Sequence, residues 1–268
     1  MKPKQPILTL YKNRGETPLE CLERFRKDNP EYVDDKMTYA GRLDPLAEGL
    51  LLVLVGEECK NKEKYLGLDK EYEVDVLFGF STDTHDILGK VTEASPSYTY
   101  EGEASVAPIL KSFIGKFSQK YPTYSSKNIK KILTARKNGG LALRRNEVMG
   151  EGESSVFSDE EIPEKDVEIK SIELLGERSI SKEGLEKYVK ESINLVKGDF
   201  RQSDILKEWE NFLFKSSMDE FNIISIRVNC TSGTYMRSLA SAIGEKVGIP
   251  ALALNIKRTR IKKYGGKV

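Results

Sequence analysis

The residue of this chain best set up for chemistry is Asp44, in the segment Tyr39-Ala-Gly-Arg-Leu-Asp-Pro-Leu-Ala-Glu-Gly49. Pro45 stiffens the backbone directly after it, while Gly41 and Gly49 permit tight turns or close backbone approach on either side. A carboxylate fixed on such a loop, just ahead of the apolar run Leu50–Val55, can act as a nucleophile or a base. The same position also suits an Asx turn or a helix N-cap, so the loop alone leaves both readings open. Other chemistries are restricted by composition. Cys21, Cys59 and Cys230 are far apart and form no C-x-x-C pair, which argues against a disulfide framework or a thiolate zinc site. His85 is the only imidazole, so a multi-histidine metal centre cannot be built. Neither a G-x-x-x-x-G-K-[ST] phosphate loop nor a G-x-G-x-x-G fingerprint is present. Any catalysis must then rest on carboxylates, Tyr, Lys or Arg.

The elements that must carry these residues can be read from periodicity. Pro18 to Arg26 predicts a helix with Leu19, Leu22 and Phe25 on one face. Leu50–Val55 fits a buried strand or helix segment. Tyr72 to Phe80 alternates in part and predicts a strand, as does Ile223 to Val228. Thr234 to Val247 predicts a helix with Leu239, Ile243 and Val247 inward and Gly248 as its stop. Lys182 to Phe214 predicts further helix, with Trp209 as a packing anchor. Strands and helices mix without regular alternation, which points to an α+β fold.

The chain has 268 residues, with 43 Lys plus Arg against 42 Asp plus Glu. That near-balance conceals segregation. Lys111 to Arg145 holds ten basic residues and no acid, and Glu147 to Glu177 holds eleven acids against Lys165 and Lys170. From Lys246 onward there are seven basic residues and no acid. Such runs suit either solvated faces or a phosphate-binding surface, and Tyr121, Tyr124 and Tyr264 among them are placed as base-stacking aromatics would be. The longest apolar run is far too short to span a bilayer, and the first residues lead into no apolar signal region. A cytoplasmic protein without membrane association is expected.

Four collinear segments carry a resemblance. Gly41-Arg-Leu-Asp-Pro-Leu-Ala-Glu-Gly49 resembles the catalytic motif of the TruB family of pseudouridine synthases. Lys70-Glu-Tyr-Glu-Val with Gly79-Phe-Ser-Thr-Asp-Thr-His-Asp-Ile-Leu-Gly89 resembles that family's K-x-Y strand and T-D-T-x-D-x-x-G segment. Gln119-Lys-Tyr-Pro-Thr-Tyr-Ser-Ser-Lys127, with Ala135-Arg136 after it, resembles Q-x-P-x-Y-S-A-x-K and the following A-R. Ser232-Gly-Thr-Tyr-Met-Arg-Ser-Leu-Ala240 resembles G-T-Y-I-R-S-L. Leu10-Tyr-Lys-Asn-Arg-Gly-Glu-Thr17 is more distantly similar to K-P-x-G-x-T-S.

This resemblance implies a pseudouridine synthase fold, with a central, mostly antiparallel sheet, flanking helices and an RNA-binding cleft. It implies isomerisation of a uridine in RNA, in the T-arm of tRNA, without metal or cofactor. Asp44 would be the catalytic carboxylate, attacking ribose C1′ or taking a proton at C2′; the sequence leaves both routes open. Tyr72 would pack against the target base, and Arg237 would pair with Asp44 and hold it ionised. RNA contacts would come from Tyr39, Arg42, Lys70, Tyr124, Lys127, Arg136, Lys257 and Arg258. For Lys70 a solvated face is the competing reading. His85 reads as a turn or strand-edge residue rather than a base, because Asp83 and Asp86 beside Thr can cap their own backbone.

Three departures qualify the resemblance. Tyr39 stands where many relatives carry a His that helps evict the base. The chain ends soon after Arg258-Thr-Arg260, so a C-terminal PUA domain is not expected and residues 1–268 read as a single catalytic domain. Residues 176–217 have no family counterpart and read as a helical insertion. A monomer acting on tRNA is the expected form. A ribosomal RNA target, or an RNA-binding or RNA-folding protein without catalysis, are the alternatives; Leu43-Asp44-Pro45 and Thr82-Asp83-Thr84 favour tRNA.

Overall fold

The computed structural model describes residues 4–120 and 164–262. Ten strands and six α-helices lie within them. In chain order they are β1 (Ile7–Lys12), α1 (Pro18–Asp28), β2 (Met37–Ala40), β3 (Ala47–Val55), α2 (Lys62–Leu66), β4 (Lys70–Phe78), β5 (Phe80–Thr82), β6 (Val91–Ala94), α3 (Glu103–Lys111), β7 (Gly115–Lys120), β8 (Glu164–Ser181), α4 (Lys182–Leu195), α5 (Gln202–Lys215), β9 (Glu220–Cys230), α6 (Met236–Val247) and β10 (Ala251–Ile261).

Eight strands form one sheet in the order β1-β3-β10-β4-β9-β8-β7, with β2 also paired to β3. Every pairing in it is antiparallel except β3 with β10, whose parallel register sets Gly49 beside Arg258. That register requires glycine: a Cβ at Gly49, where φ is +109°, would stand 2.3 Å from the Arg258 carbonyl oxygen. β5 and β6 form a separate hairpin.

The alternation of side chains along each strand divides the core in two. Tyr72, Val74, Val76 and Phe78 of β4, with Ile224, Ile226 and Val228 of β9, pack under α3 and α6. Leu77, Ile223, Leu252 and Leu254 project oppositely and are covered by Leu185, Val189 and Ile193 of α4 and Ile205, Trp209 and Leu213 of α5. Beyond that cover the second face is polar, with Arg227 bridging Glu73 at 2.9 Å and Glu173 at 3.1 Å.

Most expected elements are present. The strand at Tyr72 stops at Phe78, because Gly79 turns with φ +105°. α1 begins with a reciprocal capping box between Thr17 and Glu20, but it buries Pro18, Cys21 and Leu22 while Leu19 faces solvent. The inward stripe is rotated from the predicted one because the small Cys21 fits against β3. Gly248, left-handed at φ +78°, ends α6 as expected. Within residues 176–217, the first six continue β8, and two helices follow, separated by Val196–Arg201. Trp209 is buried against Phe80, their ring centroids 5.1 Å apart. No helix among the described residues is long and apolar enough to cross a membrane.

Candidate active site

Three segments distant in sequence meet at one end of the sheet: the β2–β3 loop with Asp44, the β5–β6 loop with Asp86, and the first turn of α6 with Arg237. Arg237 Nε lies 2.9 Å from Asp44 Oδ2 and 3.8 Å from Asp86 Oδ2. Its Nη1 donates to the Thr84 carbonyl at 2.8 Å. Side-chain exposure is 5% for Arg237, 11% for Asp86 and 34% for Asp44. One buried cation therefore serves two carboxylates, and only Asp44 has an open edge.

The electrostatics follow from that burial. Removal from water disfavours the charge on Arg237, yet Asp44 and Asp86 outweigh it and raise its pKa above the ordinary value. Burial likewise raises the pKa of Asp86, opposed by Arg237 and by the Thr84 hydroxyl. Tyr72 is buried and its hydroxyl pKa is raised, chiefly by burial, with Arg258 opposing and the charge of Asp44 adding to it. Among the described residues no cluster of His, Cys, Asp and Glu could hold a metal ion.

Each segment is fixed locally. The Lys12 ammonium, fully buried, donates to the carbonyls of Asn13, Pro45 and Ala47 at 3.0, 3.1 and 2.6 Å. Gly15 N–H adds a bond to the Pro45 carbonyl at 2.9 Å. Burial pushes the Lys12 pKa down to about 8. The β5–β6 loop is closed by its own side chains. Thr82 Oγ1 donates to the Asp86 carbonyl at 2.6 Å, Thr84 Oγ1 to Asp86 Oδ1 at 2.6 Å, and Lys90 N to Asp83 Oδ1 at 2.9 Å. Gly89 allows this closure, since a Cβ there would lie 2.3 Å from Thr84 Oγ1. Gln119 fixes the approach to Arg237, donating to the Gly233 carbonyl at 2.6 Å and accepting from Tyr235 N at 2.8 Å.

Of the residues assigned to catalysis from sequence, Asp44 and Arg237 are in direct contact, and Tyr72 is buried in the core shared by their chain neighbours Leu43 and Met236, near enough for the charge of Asp44 to act on its hydroxyl. The RNA assignments divide. Arg42 is exposed on the Asp44 loop, Tyr39 is half-buried with Lys62 Nζ 5.4 Å above its ring, and Lys257 is half-buried on β10. Lys70 and Arg258 must be corrected. Lys70 is buried and donates to the carbonyls of Leu66 and Leu68, and burial pushes its pKa down to about 8. Arg258 is buried and donates to the Leu50 carbonyl at 2.6 Å and the Gly41 carbonyl at 3.1 Å. Both cations support the loop from below, since their side chains would be the nearest atoms to a Cβ at Gly41. Tyr124, Lys127 and Arg136, like Tyr121 and Tyr264, lie outside the described residues.

Sequence reasoning missed Lys12 and Asp86 as site components. Lys12 carried a signal, the lysine of the weak opening match. Asp86 was read only as a local cap, which it is, and its second oxygen goes to Arg237. His85 is a turn residue, left-handed at φ 58°, with its N–H on the Thr82 carbonyl at 3.1 Å.

Residues 30–149 match the model of the TruB family pseudouridylate synthase (N terminal domain). A tRNA pseudouridine synthase B of Bacillus licheniformis is 31% identical over 254 residues, covering 94% of this chain and 64% of the relative. That of Aquifex aeolicus is 28% identical over 257 residues, covering 95% and 67%. The chain thus spans about two thirds of the length of these relatives. Among solved structures, a chain of a Cbf5-Nop10-Gar1 complex superposes with a TM-score of 0.53 at 18% identity, over 95% of this chain and 48% of that one, which shows a shared fold.

Proposed function

We propose that the chain, which resembles the TruB family pseudouridylate synthase model over residues 30–149 and a tRNA pseudouridine synthase B over 94% of its length, is a member of that family and isomerises a uridine of tRNA to pseudouridine, at position 55 in the T-arm. The observation that carries this reading is the 2.9 Å ion pair between buried Arg237 and the partly open carboxylate of Asp44. A guanidinium at that distance balances the charge of Asp44 and aims it, so its open edge can meet a ribose.

The reaction needs no redox change. Asp44 adds to ribose C1′ or removes the C2′ proton, and the C1′–N1 bond breaks in either route. The base turns within the site and C5 bonds to C1′, which releases the Asp44 carboxylate from C1′ on the first route and returns the proton to C2′ on the second; the C5 proton then leaves and N1 gains one, restoring the ring. Tyr72, whose hydroxyl feels the charge of Asp44, packs against the base during this turn. Its raised pKa keeps it a neutral phenol, a hydrogen-bond partner rather than an anion, at neutral pH. The cleft behind Asp44, lined by Leu46, Asp86, Ile87 and Ala253, holds about 10 Å³, room for one water. A nucleotide must therefore approach the exposed edge of Asp44, already extruded from its stack. RNA contacts are assigned to Tyr39, Arg42 and Lys257, and from their sequence motif alone to Tyr124, Lys127 and Arg136; Tyr39 supplies a stacking ring in place of an imidazole. The enzyme acts as a cytoplasmic monomer with the helices of residues 176–217 as an insertion in a single catalytic domain.

The test is incubation of the purified protein with a uridine-labelled tRNA transcript and with its T-arm stem-loop, followed by nucleoside analysis. Pseudouridine at one position is expected from wild type and none from Asp44→Asn, with RNA affinity kept within about tenfold because phosphate contacts set most of it. Product on ribosomal RNA and none on tRNA would overturn the target assignment.

A further inference from the structure

The helical hairpin α4–α5 touches both carboxylate-bearing loops. Leu46, two residues after Asp44, and Ile87 and Leu88, directly after Asp86, share one core with Val189, Ile193, Ile205 and Trp209 of the hairpin. Next to the Asp44 loop, a Cβ on Gly15 would lie 2.8 Å from Leu195 Cβ, so the end of α4 sits tight against the backbone that bonds Pro45. The Arg14 guanidinium lies 4.6 Å from the Tyr188 ring.

The polar link is more specific. Arg201, in the turn between α4 and α5, donates to Asp83 from both terminal nitrogens, at 2.7 and 3.2 Å. Neither side chain is exposed, at 20% and 18%. Arg201 holds a left-handed backbone, φ 62°, which a side chain adopts at a cost of about 1 kcal/mol or more. The turn is secured by Asp199 Oδ1 on Arg201 N and Gln202 Oε1 on Phe200 N. Asp83 in turn accepts from Lys90 N and donates its own N–H to the Lys90 carbonyl, clasping the loop that presents Thr84 and Asp86 to Arg237. Lys90 adds an ion pair to Asp204 of α5 at 3.1 Å.

We propose that the α4–α5 hairpin positions the reactive carboxylate, and that Arg201 is the positioning residue through which it acts, by way of Asp83, the Thr84–Asp86 turn and Arg237. The inference rests on the catalytic reading above, so its test carries a readout that does not need turnover. A bidentate fork fixes orientation as well as distance, and small misplacements of a reacting group are expensive in rate.

The experiment uses the whole chain labelled with ¹⁵N-arginine, the Arg237 Nε–H signal being assigned by its loss in Arg237→Lys. Arg201→Ala should speed exchange of that proton with water by about tenfold, as the β5–β6 loop opens locally. The same variant should lower kcat on the T-arm stem-loop by about tenfold or more while leaving RNA affinity within about twofold. Arg201→Lys, which keeps the charge but not the fork, should recover part of both. Asp83→Asn, which keeps the acceptor oxygen, gives the same comparison should Arg201→Ala fail to fold. Unchanged Nε–H exchange in the folded variants would overturn the proposal, as would a kcat loss matched by an equal loss of RNA affinity. If wild type converts no uridine, the catalytic reading falls, and the exchange measurement still decides the positioning role.

Discussion

The two loops that share Arg237 hold their carboxylates in opposite ways. The Asp44 loop is pinned from outside, by Lys12 and Gly15 on its backbone carbonyls and by Arg258 on Gly41, and these bonds leave its carboxylate to Arg237 among the described residues. The β5–β6 loop is closed around Asp86 by its own residues, with Arg201 on Asp83 and Ala253 N–H on the His85 carbonyl bracing it from outside, and Asp86 spends one oxygen on Thr84 and the Leu88 N–H. Asp44 keeps an exposed edge, whereas Asp86 is buried with a raised pKa. A carboxylate whose lone pairs are consumed by its own loop is a counter-charge; one whose loop is held by other groups can react.

Exchanging each acid for its amide separates these roles and gives the largest effects. Asp44→Asn removes the group that touches ribose and should leave no measurable turnover. Asp86→Asn keeps the Thr84 acceptor and removes only the second negative charge beside Arg237. A kcat loss of about 10- to 100-fold, with RNA affinity unchanged, is the expected result for loss of one oriented charge. Equal abolition in the two variants would erase the distinction between the loops.

Outside support for the Asp44 loop can be tested through Lys12→Met, which keeps chain length and removes the ammonium. Three carbonyls lose the ammonium; Pro45 keeps the Gly15 N–H and Asn13 the Glu16 N–H, so the main penalty falls on the buried Ala47 carbonyl and is about 1–3 kcal/mol. Urea denaturation should show a lower midpoint at an unchanged slope. Turnover should fall as well, because Pro45 and Ala47 flank the reactive loop. A variant as stable as wild type would mean that water replaces the ammonium and that the loop needs no buried cation.

How legible these loops were in the sequence follows from the same contrast. Pro45, Gly41 and the motif around Asp44 are local signals, as are the alternating apolar residues of β4 and β9, and they were readable. The Thr-Asp-Thr spacing announced a self-capped turn, and the structure holds one. What was not legible is long-range. Lys70 and Arg258 are cations by composition, so they were assigned to RNA. Only the register of β10, which pairs with β3 and β4, buries them beneath Gly41. The partners of Arg201 and Lys12 are likewise 118 and 33 to 35 positions away. Leu19 was misassigned because the helical period allowed two adjacent stripes, and packing against β3 chose the one with Cys21.

The smallest effect concerns the self-closed loop. His85 sits at its left-handed turn, and burial lowers its pKa to about 4, with the positive charge of Arg237 adding to the shift and Asp83 opposing it. Unfolded, the same imidazole titrates near 6.5. Between these values the unfolded chain binds more protons than the folded one, so stability rises with pH across that window. The contribution is complete above about pH 6.5 and is lost progressively as the pH falls towards 4, amounting to about 2–3 kcal/mol. His85→Asn tests this directly, because asparagine tolerates the left-handed backbone and does not titrate. The difference in unfolding free energy between wild type and variant, measured at pH 7 and at pH 4.5, should shift in favour of the variant at the lower pH. Carboxylates elsewhere titrate alike in both proteins and cancel from the comparison. A difference that stays constant with pH would mean that His85 carries its proton in the folded state, and that the loop around Asp86 tolerates a second positive charge beside Arg237.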